Sequence, residues 1–483
     1  MAAYWTSVLR TGDARINGLL SGSAWGGGKL AYSMPDAAAD YGRGYLSDYD
    51  RDGRSAQSDG FSKLSPAQST SVRMIFEGTS KANVGFSAEG FTNLSISSAG
   101  SGSGAGDVRL ANTGDVSTAY AYMPGAGMGG DVWFGTAARA SKAGDYGHLV
   151  ALHEIGHALG LKHPHEASGL GRLATDYDSL EYTTMTYRAF CGAKPTGYCF
   201  EKWGAPQTYM MLDIAALQQM YGADFTTNAG NTVYKWTPAS GRTYVNGQMA
   251  IDPGGNRIFA TVWDGGGTDT YDLSAYNSAV RVDLRPGTAS TFSKAQLADL
   301  GGGPNDGHAR GNIFNALQYH NDARSLIENA KGGSASDVLY GNKAGNTLSG
   351  NDGNDRLWGS SGRDTLVGGK GADVFVFRSA AESPYGAPDR ILAGGGALAF
   401  EKAGRGAGDR IDLTQFDADL TRGGHQDFIF GTSKARGHIW MSESEGVTYL
   451  HGNIDKDAAI EFQVAIHDGG VKASAYTHHD FIL

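Results

Sequence analysis

Residues 153–163 read HEIGHALGLKH. His153 and His157 stand four apart, so on a helix both rings project from one face, one turn apart. Two imidazoles so placed can grip one Zn²⁺. Glu154, beside the first of them, is not expected to bind the metal; it can hold a water there and take its proton. Gly160 lets the chain turn sharply, and His163 returns as a third nitrogen ligand. Three nitrogens with a fourth position open make the arrangement of a catalytic zinc rather than a structural one. HExxH alone is moderately specific, and the added GxxH makes the signal strong. His148 and His165 fall off this spacing and read as surface or supporting histidines.

A second pattern points to a different ion. From Gly332 the chain runs through five contiguous nonapeptides: GGSASDVLY, GNKAGNTLS, GNDGNDRLW, GSSGRDTLV and GGKGADVFV. Position 1 is Gly332, Gly341, Gly350, Gly359 and Gly368. Position 6 is Asp337, Asn346, Asp355, Asp364 and Asp373, and position 8 is Leu339, Leu348, Leu357, Leu366 and Phe375. Glycines permit a tight loop with bare carbonyls, and the carboxylate adds hard oxygen ligands of the kind Ca²⁺ takes. The apolar eighth residue points inward from a short strand. One unit cannot close an ion cage or bury its leucine; stacked units do both. The second unit is the weakest, since Asn342, Ala344 and Asn346 depart from the pattern. A degenerate copy, DGGGTDTYD at 264–272, offers Asp264, Gly267 and Asp269.

The elements that must position these residues are legible in outline. A helix over 146–159 carries the first two histidines, and Gly160 ends it. Ser65 and Pro66 open another helix as N-cap and first residue. A third is predicted over 206–221, PQTYMMLDIAALQQMY. Residues 37–60 read as loop, and 79–135 as short strands between turns. After about 235 helical periodicity fades while Gly, Asp, Asn and Thr rise. The expected division is therefore 1–235 and 236–483.

Composition agrees. The 483 residues include 73 glycines, roughly twice the usual ~7% share, and only 12 prolines. A net charge of −10 leaves no basic stripe for nucleic acid. No apolar run approaches the ~18 residues of a membrane span, and the N-terminus lacks the basic and apolar regions of an ordinary secretory signal. Two cysteines, Cys191 and Cys199, exclude a disulfide framework or a cysteine-rich metal cluster.

HEIGHALGLKH resembles the zinc motif of the metzincins. TTMTY at 183–187 resembles their methionine turn, with Met185 as an apolar base beneath the metal. With the nonapeptides added, the chain resembles the serralysins, secreted bacterial zinc endopeptidases. AYAYMPGAGMGGDVWF, LDIAALQQMYGA, VWDGGGTDTYDLSAY, ENAKGG and GDRIDLTQFDA are similar to blocks of that family. The resemblance implies an α+β metzincin-like protease domain followed by an all-β parallel β-roll. It implies one catalytic Zn²⁺, several structural Ca²⁺, Tyr187 as a catalytic hydroxyl and extra zinc ligand, and Glu328 among the calcium ligands. Loops two units apart should share ions. Residues 391–408 read as an insertion in place of the family's compact acidic turn, which tells against a last calcium site near Asp389 and Asp409. The tail Asp480-Phe481-Ile482-Leu483 resembles the family's uncleaved signal read by a type I ABC exporter, so the protein is expected outside the cell, as a monomer acting on proteins or peptides. There, Cys191 and Cys199 are expected to form a disulfide across CGAKPTGYC, a loop on the primed side of the cleft. Two rivals stand beside this reading: a calcium-dependent surface or adhesion module on an inactive protease scaffold, and a protease dedicated to one partner.

Overall fold

The computed structural model describes residues 4–42, 56–57, 59–101, 105–457 and 459–483. Of the predicted loop at 37–60, residues 43–55 and 58 lie outside the described residues, and Ala38–Tyr41 is a 3-10 turn. The chain forms two compact units, one of Met1–Ala229, Ala239–Gly267 and Lys294–Ser325, the other of Gly230–Pro238, Thr268–Ser293 and Leu326–Leu483. The units interleave in sequence. Strand pairing explains this: Val233–Thr237 lies parallel to Thr270–Asp272 within the second unit, and Ala260–Val262 to Ile313–Asn315 within the first.

In the first unit a five-stranded sheet runs in the order Ser95–Ser101, Lys29–Met34, Val108–Asn112, Val132–Phe134, Ala119–Ala121, with only the last pair antiparallel. Helix α1 (Pro66–Phe76) starts as the sequence predicts. Ser65 Oγ accepts from Gln68 N, and the Gln68 side chain accepts from Ser65 N, a reciprocal cap that satisfies two otherwise orphaned donors. Residues 79–135 begin with two helical turns, Val84–Phe86 and Ala88–Phe91, before the strands expected there; Ser87 Oγ caps Gly90 N. Helix α2 (Tyr146–Ala158) is capped by Asp145, which accepts from His148 N at 2.7 Å. Every residue from Gly147 to Ala158 is buried; the helix is sheathed all round, as suits one holding ionisable groups away from water. Gly160 has φ +104°, and a Cβ there would meet Ser23 O and Met220 Sδ. Helix α3 (Met211–Tyr221) begins later than the predicted 206. Asp213 in its first turn accepts from Met210 N at 3.0 Å, which fixes Met210 as the extended N-cap.

The second unit is a β-roll. One sheet stacks Asn329–Lys331, Thr347–Asp352, Thr365–Lys370 and Asp389–Leu392 in parallel. The other stacks Arg281–Asp283, Val338–Tyr340, Arg356–Trp358, Val374–Val376 and Arg410–Asp412. The strands of the first three nonapeptides thus pair with the strands two units on. The eighth residues stack: Leu348 faces Leu366, and Leu339, Leu357 and Phe375 form a column. All five are fully buried, each stabilising the roll by about 1.5–3 kcal/mol over exposure. Phe462–His467 joins the first sheet in parallel beside Asp389–Leu392, and the antiparallel strands Val447–Asn453 and His438–Ser444 extend it further. Phe481–Ile482 adds in parallel to Arg410–Asp412, and buried Asp480 accepts from Gly404 N and Thr477 N. Among the described residues no helix is long and apolar enough to cross a membrane.

Candidate metal centre and active-site cleft

Helix α2 presents His153 and His157 on one face, and the turn at Gly160 brings His163 back to them. His163 Nε2 lies 3.0 Å from His153 Nε2 and 3.0 Å from His157 Nε2. Each remaining ring nitrogen faces an acceptor: His153 Nδ1 is 2.9 Å from Thr184 O, His157 Nδ1 is 2.8 Å from Leu161 O, and His163 Nδ1 is 2.7 Å from Glu166 Oε1. Those contacts put the protons on Nδ1 and leave three Nε2 lone pairs aimed at one point, an arrangement that a cation reconciles. Burial holds all three imidazoles below their ordinary pKa range, so they are neutral donors at pH 7. The residues fit zinc.

The ring positions depend on groups that motif reading passes over. Lys162 is buried and donates to Gly18 O, His163 O and Glu166 O, tying down the turn that carries His163. Asp213 on α3 accepts from Thr184 N at 2.7 Å and from the Thr183 hydroxyl at 2.5 Å, and so fixes the carbonyl that holds His153. Met185 is fully buried, as expected of an apolar base. A Cβ on Gly156 would lie 2.5 Å from Met185 Sδ, so the helix needs glycine where the methionine packs. The only sequence signal for Gly156 is its place inside HEIGH, and the packing explains it. His148 is buried rather than on the surface, 2.5 Å from Ser71 Oγ and 3.0 Å from Gln207 O. His165 stacks on His163 with ring centroids 5.3 Å apart.

Tyr187 OH lies 2.7 Å from His163 Nε2, at the converging point. Asp178 holds the residues on either side of it, accepting from the Thr186 hydroxyl and from Arg188 Nε. Glu154 is buried, and burial pushes its carboxyl up to about 8. Glu154, His153 and Tyr187 open into a cleft of ≈ 710 Å³ whose wall includes Tyr146, Pro195, Tyr198 and Phe200. The Tyr198 hydroxyl donates to Thr186 O.

The loop 191–199 therefore borders the cleft, but its expected disulfide is absent. Both cysteines are free: Cys191 Sγ is turned to Asp176 O and Ser179 Oγ, and Cys199 Sγ to Leu300 O. Separate carbonyl partners draw the two thiols to different places.

The calcium candidates divide. Asp355, Asp364 and Asp373 are buried, and in each one carboxylate oxygen has no hydrogen-bond partner. Gly350, Gly359 and Gly368 make the room, since a Cβ on any of them would strike that carboxylate. Acceptor-only oxygens shielded from water fit a hard cation. Burial pushes Asp355 up to about 8, with Asp373 and Asp337 adding repulsion, and Asp364 up to about 7. Asp389 and Asp409 continue the ladder across the insertion: Asp389 accepts from Asp364 N and Asp409 from Asp373 N, both at 2.8 Å. Asp337, beside Gly332, accepts from Val280 N and Gly333 N. Asn346, beside Gly341, differs from them: its Oδ1 accepts from Asn342 N, and its Nδ2 donates to Glu328 O and Asn342 Oδ1. In the degenerate copy, Asp264 accepts from Gly266 N, Gly267 has φ +134°, and Asp269 N donates to Glu328 Oε2 at 2.8 Å.

The family described as peptidase M10 serralysin C terminal matches residues 223–483, and the matrixin family matches 69–180. Serralysin A of Dickeya chrysanthemi is 38% identical over 355 residues, 72% of this chain and 66% of that protein. Serralysin C of the same organism is 37% identical over 358 residues, with the same coverage of 72% and 66%. Metallopeptidase AprA of Pseudomonas marginalis is 37% identical over 293 residues, 58% of this chain and 56% of that protein. The chain thus spans just under two thirds of the length of the first two relatives. Since the C-terminal match alone covers more than half of the sequence, the chain belongs to the serralysin family.

Proposed function

We propose that this chain is a zinc-dependent endopeptidase that hydrolyses peptide bonds of extracellular proteins. The observation that carries the reading is the convergence of three Nε2 atoms beside an open cleft that also holds Glu154 and Tyr187. Zinc held by His153, His157 and His163 would supply Lewis acidity, bringing the pKa of water toward ~7. Glu154 takes the proton of the attacking water as its oxygen adds to the scissile carbonyl carbon. It then delivers that proton to the leaving amine nitrogen. A carboxyl raised by burial serves both strokes, and a nearby cation draws it back toward the ionised form needed for the first. The Tyr187 hydroxyl donates to the developing oxyanion. Tyr146, Tyr198 and Phe200 give the cleft an aromatic wall that favours extended peptide with bulky side chains.

Calcium at the orphaned carboxylates of the roll would couple its folding to the ion-rich exterior. Export by a type I ABC system reading Asp480–Leu483, and action as a monomer, complete the proposal. A casein zymogram with and without a zinc chelator tests it. Clearing that the chelator abolishes is expected. No clearing by zinc-loaded protein would favour a calcium-dependent surface module on an inactive scaffold.

A further inference from the structure

The turns of the nonapeptide run share a backbone plan and differ in what satisfies the sixth residue. In Asp355, Asp364 and Asp373, one oxygen accepts an amide proton from the residue eighteen positions earlier, at 2.7, 2.7 and 2.8 Å. The other oxygen is buried without a partner. Those turns are incomplete until a cation or a proton arrives.

The turn from Gly341 to Asn346 is complete as it stands. Asn346 Oδ1 lies against Gly341 much as the carboxylates lie against Gly350, Gly359 and Gly368. It accepts from Asn342 N at 2.7 Å, while Asn346 Nδ2 donates to Glu328 O at 2.9 Å and to Asn342 Oδ1 at 3.2 Å. Asn342 is equally engaged. Its Nδ2 donates to Leu284 O and Ile327 O at 3.1 and 2.8 Å, and its Oδ1 also accepts from Ala344 N at 2.9 Å. Both side chains are buried. The amide of Asn342 thereby uses two donors and two acceptor sites, its whole capacity. Two N–H groups of Asn346 face oxygens, as a cation would, and no net charge is brought inside.

We propose that Asn342 and Asn346 form an ion-independent rung, a neutral amide pair standing where calcium stands in the later turns, and that this rung keeps residues 327–348 folded when calcium is withdrawn. A satisfied buried network fixes one local structure without help from solution. The turns at Gly350, Gly359 and Gly368 then add onto a preformed edge as calcium binds.

Hydrogen exchange read by mass spectrometry on the full-length protein, after calcium removal over a chelating resin, tests this directly. Peptides within 338–348 are expected to exchange at least about tenfold more slowly than those within 350–376. Equally fast exchange in both would overturn the proposal. The double variant Asn342→Gly, Asn346→Asp is expected to bind one more calcium ion by isothermal titration and to lose the ion-free protection of 338–348. Unchanged stoichiometry with protection retained would also overturn it. Should the double variant fail to fold, the wild-type exchange pattern decides alone.

Discussion

The histidine centre and the aspartate turns of the roll each gather like groups around a point, and they differ in what holds the gathering together. The imidazoles are neutral, and each is fixed from behind through Nδ1 by Thr184 O, Leu161 O or Glu166. The protein itself builds that site. The carboxylates of Asp355, Asp364 and Asp373 are charged in water, and each keeps one buried oxygen unsatisfied. There a cation would complete the fold. Neutral ligands allow a preformed site, whereas crowded carboxylates make folding conditional on a cation.

The strongest way to break this contrast is to remove calcium. Dialysis into calcium-free buffer containing zinc should abolish much of the β signal of the roll in circular dichroism while zinc per chain is unchanged. In the ion-free roll, Asp355, Asp364, Asp389 and Asp409 are raised to about 8, 7, 9 and 7 by burial first. A carboxyl whose folded pKa exceeds its unfolded value near ~4 leaves the folded state holding more protons. Ion-free stability therefore falls as pH rises from about 4 to 9, and acidifying from about pH 8 to about pH 5 should restore β signal. A spectrum indifferent to both calcium and pH would refute the conditional half of the contrast.

Next in size is Glu154→Ala. Loss of the proton carrier should lower kcat about 10²–10⁴-fold with zinc content intact. Retained turnover would remove Glu154 from the chemistry, and lost zinc would show that the centre is less self-supporting than its hydrogen bonds imply.

Gly156→Ala sharpens the preformed half. The added methyl meets Met185 Sδ, and overpacking of this kind costs about 1–3 kcal/mol. A lowered Tm with calcium binding unchanged is expected; an unaltered Tm would mean that Met185 moves aside freely.

The smallest effect concerns Asp178, which grips Thr186 and Arg188 around Tyr187. Asp178→Ala should lower kcat about tenfold, or about 1.4 kcal/mol, with KM little changed. In a Tyr187→Phe background it should cost almost nothing more, because the two act as one unit. Full additivity in the double-mutant cycle would make Asp178 a general stabiliser and not a positioning residue.

Local pattern determined a good deal of this protein. HEIGHALGLKH carries its ligands at helical spacing, so any helix formed there puts His153 and His157 together. The nine-residue period fixes the inward leucines and the glycine turns, because a strand and a turn recur with it. Ser65 and Pro66 announce α1 by chemistry confined to four residues. Tertiary structure decided the rest, because it turns on groups far apart in the chain. Nothing near 206 says that Asp213 will start α3 at Met211 while gripping Thr184. The spacing of Cys191 and Cys199 allows a bridge, yet Asp176 O and Leu300 O claim the thiols separately. Val233–Thr237 joins the roll only because Thr270–Asp272 offers it an edge. Asn346 reads as a weakened calcium ligand in sequence, and its meaning changes once Glu328 O and Asn342 lie within reach of its amide. Spacing specifies which side chains share a face; the partners that those faces meet depend on the folded path of the whole chain.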